Sequence, residues 1–326
     1  MIKENTVFIL GAGASKAFGY PTGRELTNYI KTKFIGDFER SFGKVTQPGS
    51  AQEEKIDEAK IFVDAFIQSG GGTSIDYFLS RARNHGQRRI IQNYGRLAIA
   101  FNIIQREIVH SKNQIDIEND NDDNWLDYFY EHYFLSGQLE IDPEEISQVP
   151  ISIITFNYDR SLEYLLYSRL KQIVNNNDED IVMKILNKIP IIHIHGIIAH
   201  LPWQVMTKEV KNRIQYGALK LHTADILKQN IKIVHEKSNT DIIREAKSKI
   251  KRADKIYFLG FGYDTNNLEK IGIPKLLHEG QQIYGTGRTT NRILHETSQS
   301  LLNNGLEEED IILENKGITQ LLTDYP

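Results

Sequence analysis

No cysteine occurs among the 326 residues. That absence excludes disulfides, cysteine-ligated zinc and a thiol nucleophile. No apolar run approaches the roughly 20 residues that span a bilayer. Lys and Arg number 39 against 43 Asp and Glu, a formal net charge of −4. There is thus no basic excess to suggest nucleic acid, and there is no acidic tail. Met1-Ile2-Lys3-Glu4-Asn5 runs directly into an apolar segment and lacks the anatomy of a signal peptide. Internal repeats and long low-complexity tracts are missing too. These absences lead us to expect a soluble cytoplasmic protein with no membrane association.

What remains is an ordinary globular balance. Hydrophobic residues make up 40% and charged residues 25%, enough for one large domain or two smaller ones. Val7-Phe8-Ile9-Leu10 leads straight into Gly11-Ala12-Gly13-Ala14-Ser15, and a helix-like stretch runs from Gly23 or Arg24 through Ile30. Strand, glycine turn and helix form the opening unit of a nucleotide-binding α/β sheet, where glycines let backbone approach a phosphate. Lys16 stands where a dinucleotide fingerprint has its third glycine.

From about residue 36 to 148 the character changes. Helical periodicity marks Lys55 to Gln68, Ser74 to Arg83 and Arg88 to His110, with Gly70-Gly71-Gly72 as a joint. Asp116 to Asp123 reads as an acidic loop, and Trp125 to Leu135 as an aromatic-rich helix. Strand signals return at Ile151 to Thr155, Ile189 to Ile194, Ile231 to His235, Lys255 to Leu259, Gln282 to Tyr284 and Ile311 to Leu313. Helices are expected at Ser161 to Ile173, Asp241 to Arg252 and Thr290 to Asn303, with a loop and a helix across Pro202 to Leu221. Strands alternating with helices predict a doubly wound, mostly parallel Rossmann-like sheet. Residues 1–35 and 149–326 would form it, and 36–148 would be a helical insertion.

Ligands of such sheets bind beyond the carboxyl ends of the strands. There the chain places Gly11 to Ser15, then Asn157-Tyr158-Asp159, then His195-Gly196, then Gly260-Phe261-Gly262. Two glycine turns, an amide, a carboxylate and an imidazole are the parts needed to hold a nucleotide and attack something beside it.

In order, Gly11-Ala12-Gly13-Ala14-Ser15, Gly19-Tyr20-Pro21, Thr155-Phe156-Asn157-Tyr158-Asp159, His195-Gly196 and Gly260-Phe261-Gly262 resemble the motifs of the sirtuin superfamily. Ser74-Ile75-Asp76-Tyr77-Phe78-Leu79, His193-Ile194-His195-Gly196 and Phe258 to Asp264 are similar to the bacterial sirtuin-like NAD hydrolases of antiphage defence. The resemblance implies NAD as substrate. Gly11, Ala12, Gly13 and Ser15 would line the pyrophosphate and adjoining ribose, with Pro21 and Arg24 in the following loop. Asn157 would contact the nicotinamide ribose and place a water, Asp159 would accept from the carboxamide, and His195 would be the general base. Gly260 and Gly262 would approach the adenosine ribose, and Gly285 and Arg288 its far end.

The residue types suit that chemistry. Cleaving the nicotinamide–ribose bond builds positive charge on the sugar carbon, so positioning, electrostatic support and one base suffice without a metal. Histidine, with an unperturbed pKa of about 6.5, fits the base. The chain departs from sirtuin deacylases in having no four-cysteine zinc module. Thr22-Gly23 replaces Asp-Phe, and Phe261-Gly262 replaces Thr-Ser. These departures favour hydrolysis over deacylation.

Several of these residues carry a plainer reading as well. Asp159 could cap the following helix while also binding ligand. His193 reads as a hydrogen-bonded structural histidine. Arg24 and Asp76 could be helix-terminus charges and Gly285 part of a turn. His85, His110, His200, His222 and His235 read as surface or packing residues, and the aromatics of Trp125 to Phe134 as core or interface. The leading expectation is an NAD glycohydrolase that depletes NAD in antiphage defence, working as a homo-oligomer or with a partner such as a DNA-translocating ATPase. The alternatives are an NAD-dependent deacylase or ADP-ribosyl transferase, and a non-catalytic nucleotide-binding assembly module.

Overall fold

The computed structural model describes residues 4–42, 49–70, 74–82, 86–113, 124–135, 149–174, 178–205, 212–232, 240–287, 290–302 and 305–326. The acidic stretch Asp116 to Asp123, most of the glycine joint and Arg288 lie outside them. Six strands form one sheet: β1 (Thr6–Leu10), β2 (Ile151–Thr155), β3 (Ile191–His193), β4 (Lys255–Leu259), β5 (Gln282–Thr286) and β6 (Ile311–Glu314). Their order is β3-β2-β1-β4-β5-β6, and every pairing is parallel. This is a doubly wound α/β sheet. The chain builds outward from β1 to β3, then returns to lay β4 on the other side of β1. That reversal opens a crevice beyond the carboxyl ends of β1 and β4.

β1 is buried along its whole length, because helices cover both faces of the sheet. Alternation sends Val7 and Ile9 to one face, with Ile256 and Phe258, while Phe8 and Leu10 meet Tyr257 and Leu259 on the other. Among the described residues, the second face carries six helices inserted between β1 and β2: α1 (Gly23–Thr32), α2 (Phe34–Phe42), α3 (Ala51–Gln68), α4 (Ile75–Arg81), α5 (Arg88–Asn113) and α6 (Trp125–Phe129), the last running into a π-helical turn to Leu135. Phe129 and Tyr133 set their rings edge-on to Phe8 at 4.9 and 5.3 Å. Trp125, Phe129, Tyr130 and Tyr133 are therefore core. One apolar cluster runs from the sheet through α1 to α6, and residue 36, where the insertion is expected to begin, falls inside α2.

Among the described residues, the remaining helices longer than a single turn are α7 (Ser161–Ile173), α8 (Glu179–Lys188), α9 (Thr240–Arg252), α10 (Thr265–Lys270), α11 (Asn291–Leu301) and α12 (Ile318–Asp324), and one short helical turn covers Ala224–Leu227. The sequence reading did not anticipate α2, α8, α10 or α12. Asp178 starts α8 by accepting from the amides of Asp180 and Ile181 at 3.0 and 3.3 Å. The strand expected from Ile231 does not form at Ile231 or Lys232, and 233–235 lie outside the described residues. The Ile231 amide instead closes a turn onto Lys228 O, and the Lys232 amide reaches His195 O.

Candidate functional site

The glycine turn after β1 and the turn after β4 interlock. Gly11 N–H donates to Leu259 O at 3.0 Å, and Gly13 N–H to Gly260 O at 2.9 Å. A Cβ on Gly11 would lie 2.5 Å from Gly260 O, and one on Gly260, at φ +57°, would lie 2.2 Å from the Ala14 nitrogen. Contacts that short demand glycine on steric grounds. Gly262 differs, because a Cβ there would enter open space. Trp125, brought in by α6, donates its indole N–H to Ala14 O at 2.9 Å. A 3-10 turn (Lys16–Phe18) separates the glycines from α1. The start of α1 is closed by a capping box in which Thr22 and Glu25 satisfy each other's amides. That cap takes up the Glu25 amide at the helix N-terminus, and the amides of Gly11, Gly13 and Ala14 are likewise spent on backbone carbonyls.

Beyond β2, Asn157 reaches across to the same turn. Its Nδ2 donates to Gly11 O at 2.9 Å and to Ser15 Oγ at 2.8 Å. With both amide hydrogens used, Oδ1 is the atom left to meet a ligand. Asp159 accepts from the Ser161 amide at 3.1 Å and from the Ser161 hydroxyl, and it also hydrogen-bonds Ser15. Burial pushes its carboxyl up, against the pull of those hydroxyls. Asp159 thus stands one residue before the cap position, which Arg160 occupies, holds the first amide of α7 and lines the cavity. His193 is held by Asn157 O at 3.0 Å and by Glu163 Oε1 at 2.8 Å. Although burial opposes its charged form, Glu163 raises His193 above its ordinary value, and this is the expected structural histidine.

His195 lies just past β3, on a bend made by Gly196 at φ +82°, where a Cβ would lie 2.1 Å from Asn230 O. Its Nε2 sits 3.2 Å from Asn267 Oδ1, and its Nδ1 sits 3.4 Å from the Lys270 ammonium. Phe156 places its ring edge-on at 5.3 Å. Burial, and then the charge of Lys270, push His195 down to about 3. Burial likewise pushes Lys270 down to about 8, opposed by Asp76. The imidazole is therefore neutral at neutral pH.

These parts surround one cavity of about 530 Å³, within the range of small-molecule sites. Gly11, Ala12, Gly13, Ser15 and Pro21 line it from the β1 side, Asn157 and Asp159 from β2, His195 from β3, and Gly260 and Gly262 from β4. Arg24 is not brought to it and is exposed on α1. Gly285 is packed inside the sheet, where a Cβ would lie 2.3 Å from the Tyr263 hydroxyl; its neighbours Thr286 and Gly287 line the cavity instead. Arg288 lies outside the described residues.

One residue read from sequence as a helix-terminus charge, Asp76, and three that the sequence reading passed over complete the wall. Asp76 enters from α4 and accepts the Tyr158 hydroxyl at 2.9 Å; burial raises its carboxyl. Asn102 on α5 lines the cavity, is 1% exposed and leaves its Oδ1 without a hydrogen-bond partner. It is the one polar residue in the run Leu97 to Ile104, and that isolation was legible as a signal. Tyr263, also on the wall, holds φ +52°, a conformation costly for a bulky residue and frequent at functional sites. Lys316 lines the opposite end and pairs with Glu314 and Asp324 at 2.7 Å. Among the described residues, no group of three or more His, Cys, Asp or Glu side chains is placed to hold a metal ion. None of their helices is long and apolar enough to cross a membrane.

No protein-family profile matches the chain, and no curated protein matches it. Solved structures do. A Sir2–p53 peptide–NAD+ complex is 12% identical at a TM-score of 0.32, with 98% of this chain and 90% of that chain covered. A structure concerned with sirtuin substrate affinity is 12% identical at a TM-score of 0.33, covering 98% and 94%. Sir2Tm bound to a propionylated peptide is 12% identical at 0.30, covering 98% and 90%.

Proposed function

We propose that the chain hydrolyses NAD to nicotinamide and ADP-ribose. The observation that carries this reading is convergence. Polar groups from the ends of three strands and two interlocked glycine turns line one cavity, with a neutral imidazole in its wall. In the reaction the C1′–N bond breaks and its electron pair neutralises the pyridinium. Water then attacks C1′ of the cationic sugar and gives its proton to His195. Asn157, anchored to Gly11 and Ser15, offers Oδ1 to the ribose or the water. The carboxylates of Asp76 and Asp159 stabilise charge that develops on the sugar. Asn102 Oδ1 is suited to a ligand N–H, such as a primary amide supplies.

On this reading residues 1–35 and 149–326 are the catalytic α/β unit and 36–148 the insertion that closes it. The setting we propose is NAD depletion in the cytoplasm during antiphage defence, in a homo-oligomer or with a partner ATPase. The test is nicotinamide release from NAD by the purified chain and by cells expressing it, compared with His195→Ala and Asn157→Ala. Release that requires both residues and no added acyl-peptide supports the hydrolase. Release that depends on peptide would make it a deacylase or transferase, and binding without release an assembly module.

A further inference from the structure

Both nitrogens of His195 are engaged. An ammonium can only donate, so Lys270 fills the Nδ1 lone pair, and the ring proton sits on Nε2, facing Asn267 Oδ1. Asn267 lines the cavity and Lys270 does not, so Nε2 is the nitrogen on the cavity side. A base on that side needs the opposite tautomer, with the proton on Nδ1 and the lone pair on Nε2. Resting on the hydrolase reading, we infer that Lys270 sets which nitrogen of His195 carries the proton, and so whether the imidazole presents an N–H or a lone pair to the substrate.

The surroundings permit the exchange. When Lys270 loses its proton, its amine accepts from Nδ1–H, and Nε2, once the Asn267 side chain turns its Oδ1 away, is freed to take a proton from water or a ribose hydroxyl. Burial brings that loss to about pH 8. The groups that face this pair come from several elements. Asp76 on α4 favours the ammonium, and Asp264 at the start of α10 adds to the negative charge near Asp76. Tyr158 donates to Asp76 and stacks obliquely on His195 at 6.0 Å. Lys232 meets His195 only through its backbone, N–H to O at 2.8 Å. Lys270 is thus a positioning residue that acts through His195, with the insertion's Asp76 as its counter-ion.

The test uses the full chain as wild type, Lys270→Arg and Lys270→Met, with unfolding temperatures confirming that each folds. Nitrogen-15 shifts of the His195 ring and nicotinamide release are followed from pH 6 to 10. In the wild type the Nε2–H signature should give way to Nδ1–H through about pH 8, with turnover rising in step. Lys270→Arg, a permanent cation, should keep Nε2–H throughout and lower turnover by about 10²-fold, the low end of a general base's contribution, with NAD binding retained. Lys270→Met should abolish the step near pH 8 in both readouts. Should Lys270→Arg not fold, Lys270→Met against the wild type carries the comparison. Identical ring shifts and pH profiles in all three proteins would overturn the inference while leaving the hydrolase reading intact. Ring shifts that move as described without any NAD turnover would uphold it and sink the hydrolase reading.

Discussion

Two histidines two residues apart carry opposite electrostatics. Glu163 raises His193, so its pairing stabilises the fold below about pH 6.5 and that contribution fades as pH climbs through the raised folded value. His195 is the reverse. Its folded value is depressed to about 3, so the unfolded chain takes up a proton first and stability falls as pH drops below about 6.5. Denaturant unfolding at pH 5 and pH 9 separates them. The stability advantage of wild type over His193→Gln should be larger at pH 5, and that over His195→Gln larger at pH 9. Asn102→Leu belongs at this scale too. It removes an orphaned buried acceptor, so the fold should hold or gain slightly, while KM for NAD rises about 10-fold or more for one lost hydrogen bond, on the order of 1.5 kcal/mol. Steady-state kinetics beside a melting curve checks both halves.

The interlocked turns make a matched pair of predictions at the scale of elements. Gly260→Ala drives a methyl into the β1 turn, where Ala14 N is 2.2 Å away. It should cost several kcal/mol of stability, as backbone clashes at special φ do. Gly262→Ala meets nothing within 4 Å. It should leave the melting temperature unchanged yet weaken NAD binding, because its methyl enters the cavity. Equal effects of the two on stability would contradict the packing described. These turns also show what could be read from the chain alone. Apolar runs ending in Gly, Asn-Tyr-Asp or His-Gly located β1 to β4 and nine of the residues that line the cavity. What could not be read was tertiary. Gly285 follows an apolar run as the other glycines do, yet its missing side chain makes room for Tyr263 inside the sheet. Arg24 follows the motif spacing, but α1 turns it outward. Asp76 and Lys270 lie 194 residues apart in sequence, and no local pattern announces that they approach the same imidazole.

Across the whole molecule, one buried ion pair ties the insertion to the sheet. Arg160, at the start of α7, meets Glu107 of α5 through two bonds of 2.8 and 2.7 Å, with both side chains fully buried. Its remaining donors go to the carbonyls of His200, Ile214 and Gln215. Arg160→Met strands a buried carboxylate and should cost roughly 3–5 kcal/mol, much of it recovered by adding Glu107→Leu. Chemical denaturation of the single and double variants measures the difference. The cavity is built from both sides of that junction, with Asp76 and Asn102 arriving from one and Asn157, Asp159 and His195 from the other. The central claim is that this shared cavity breaks the nicotinamide–ribose bond of NAD. The most direct measurement is nicotinamide release in cells expressing the wild type, His195→Ala or Asn157→Ala at equal protein levels. The account predicts release by the wild type and none by either variant. Release that persists undiminished in both variants would contradict it.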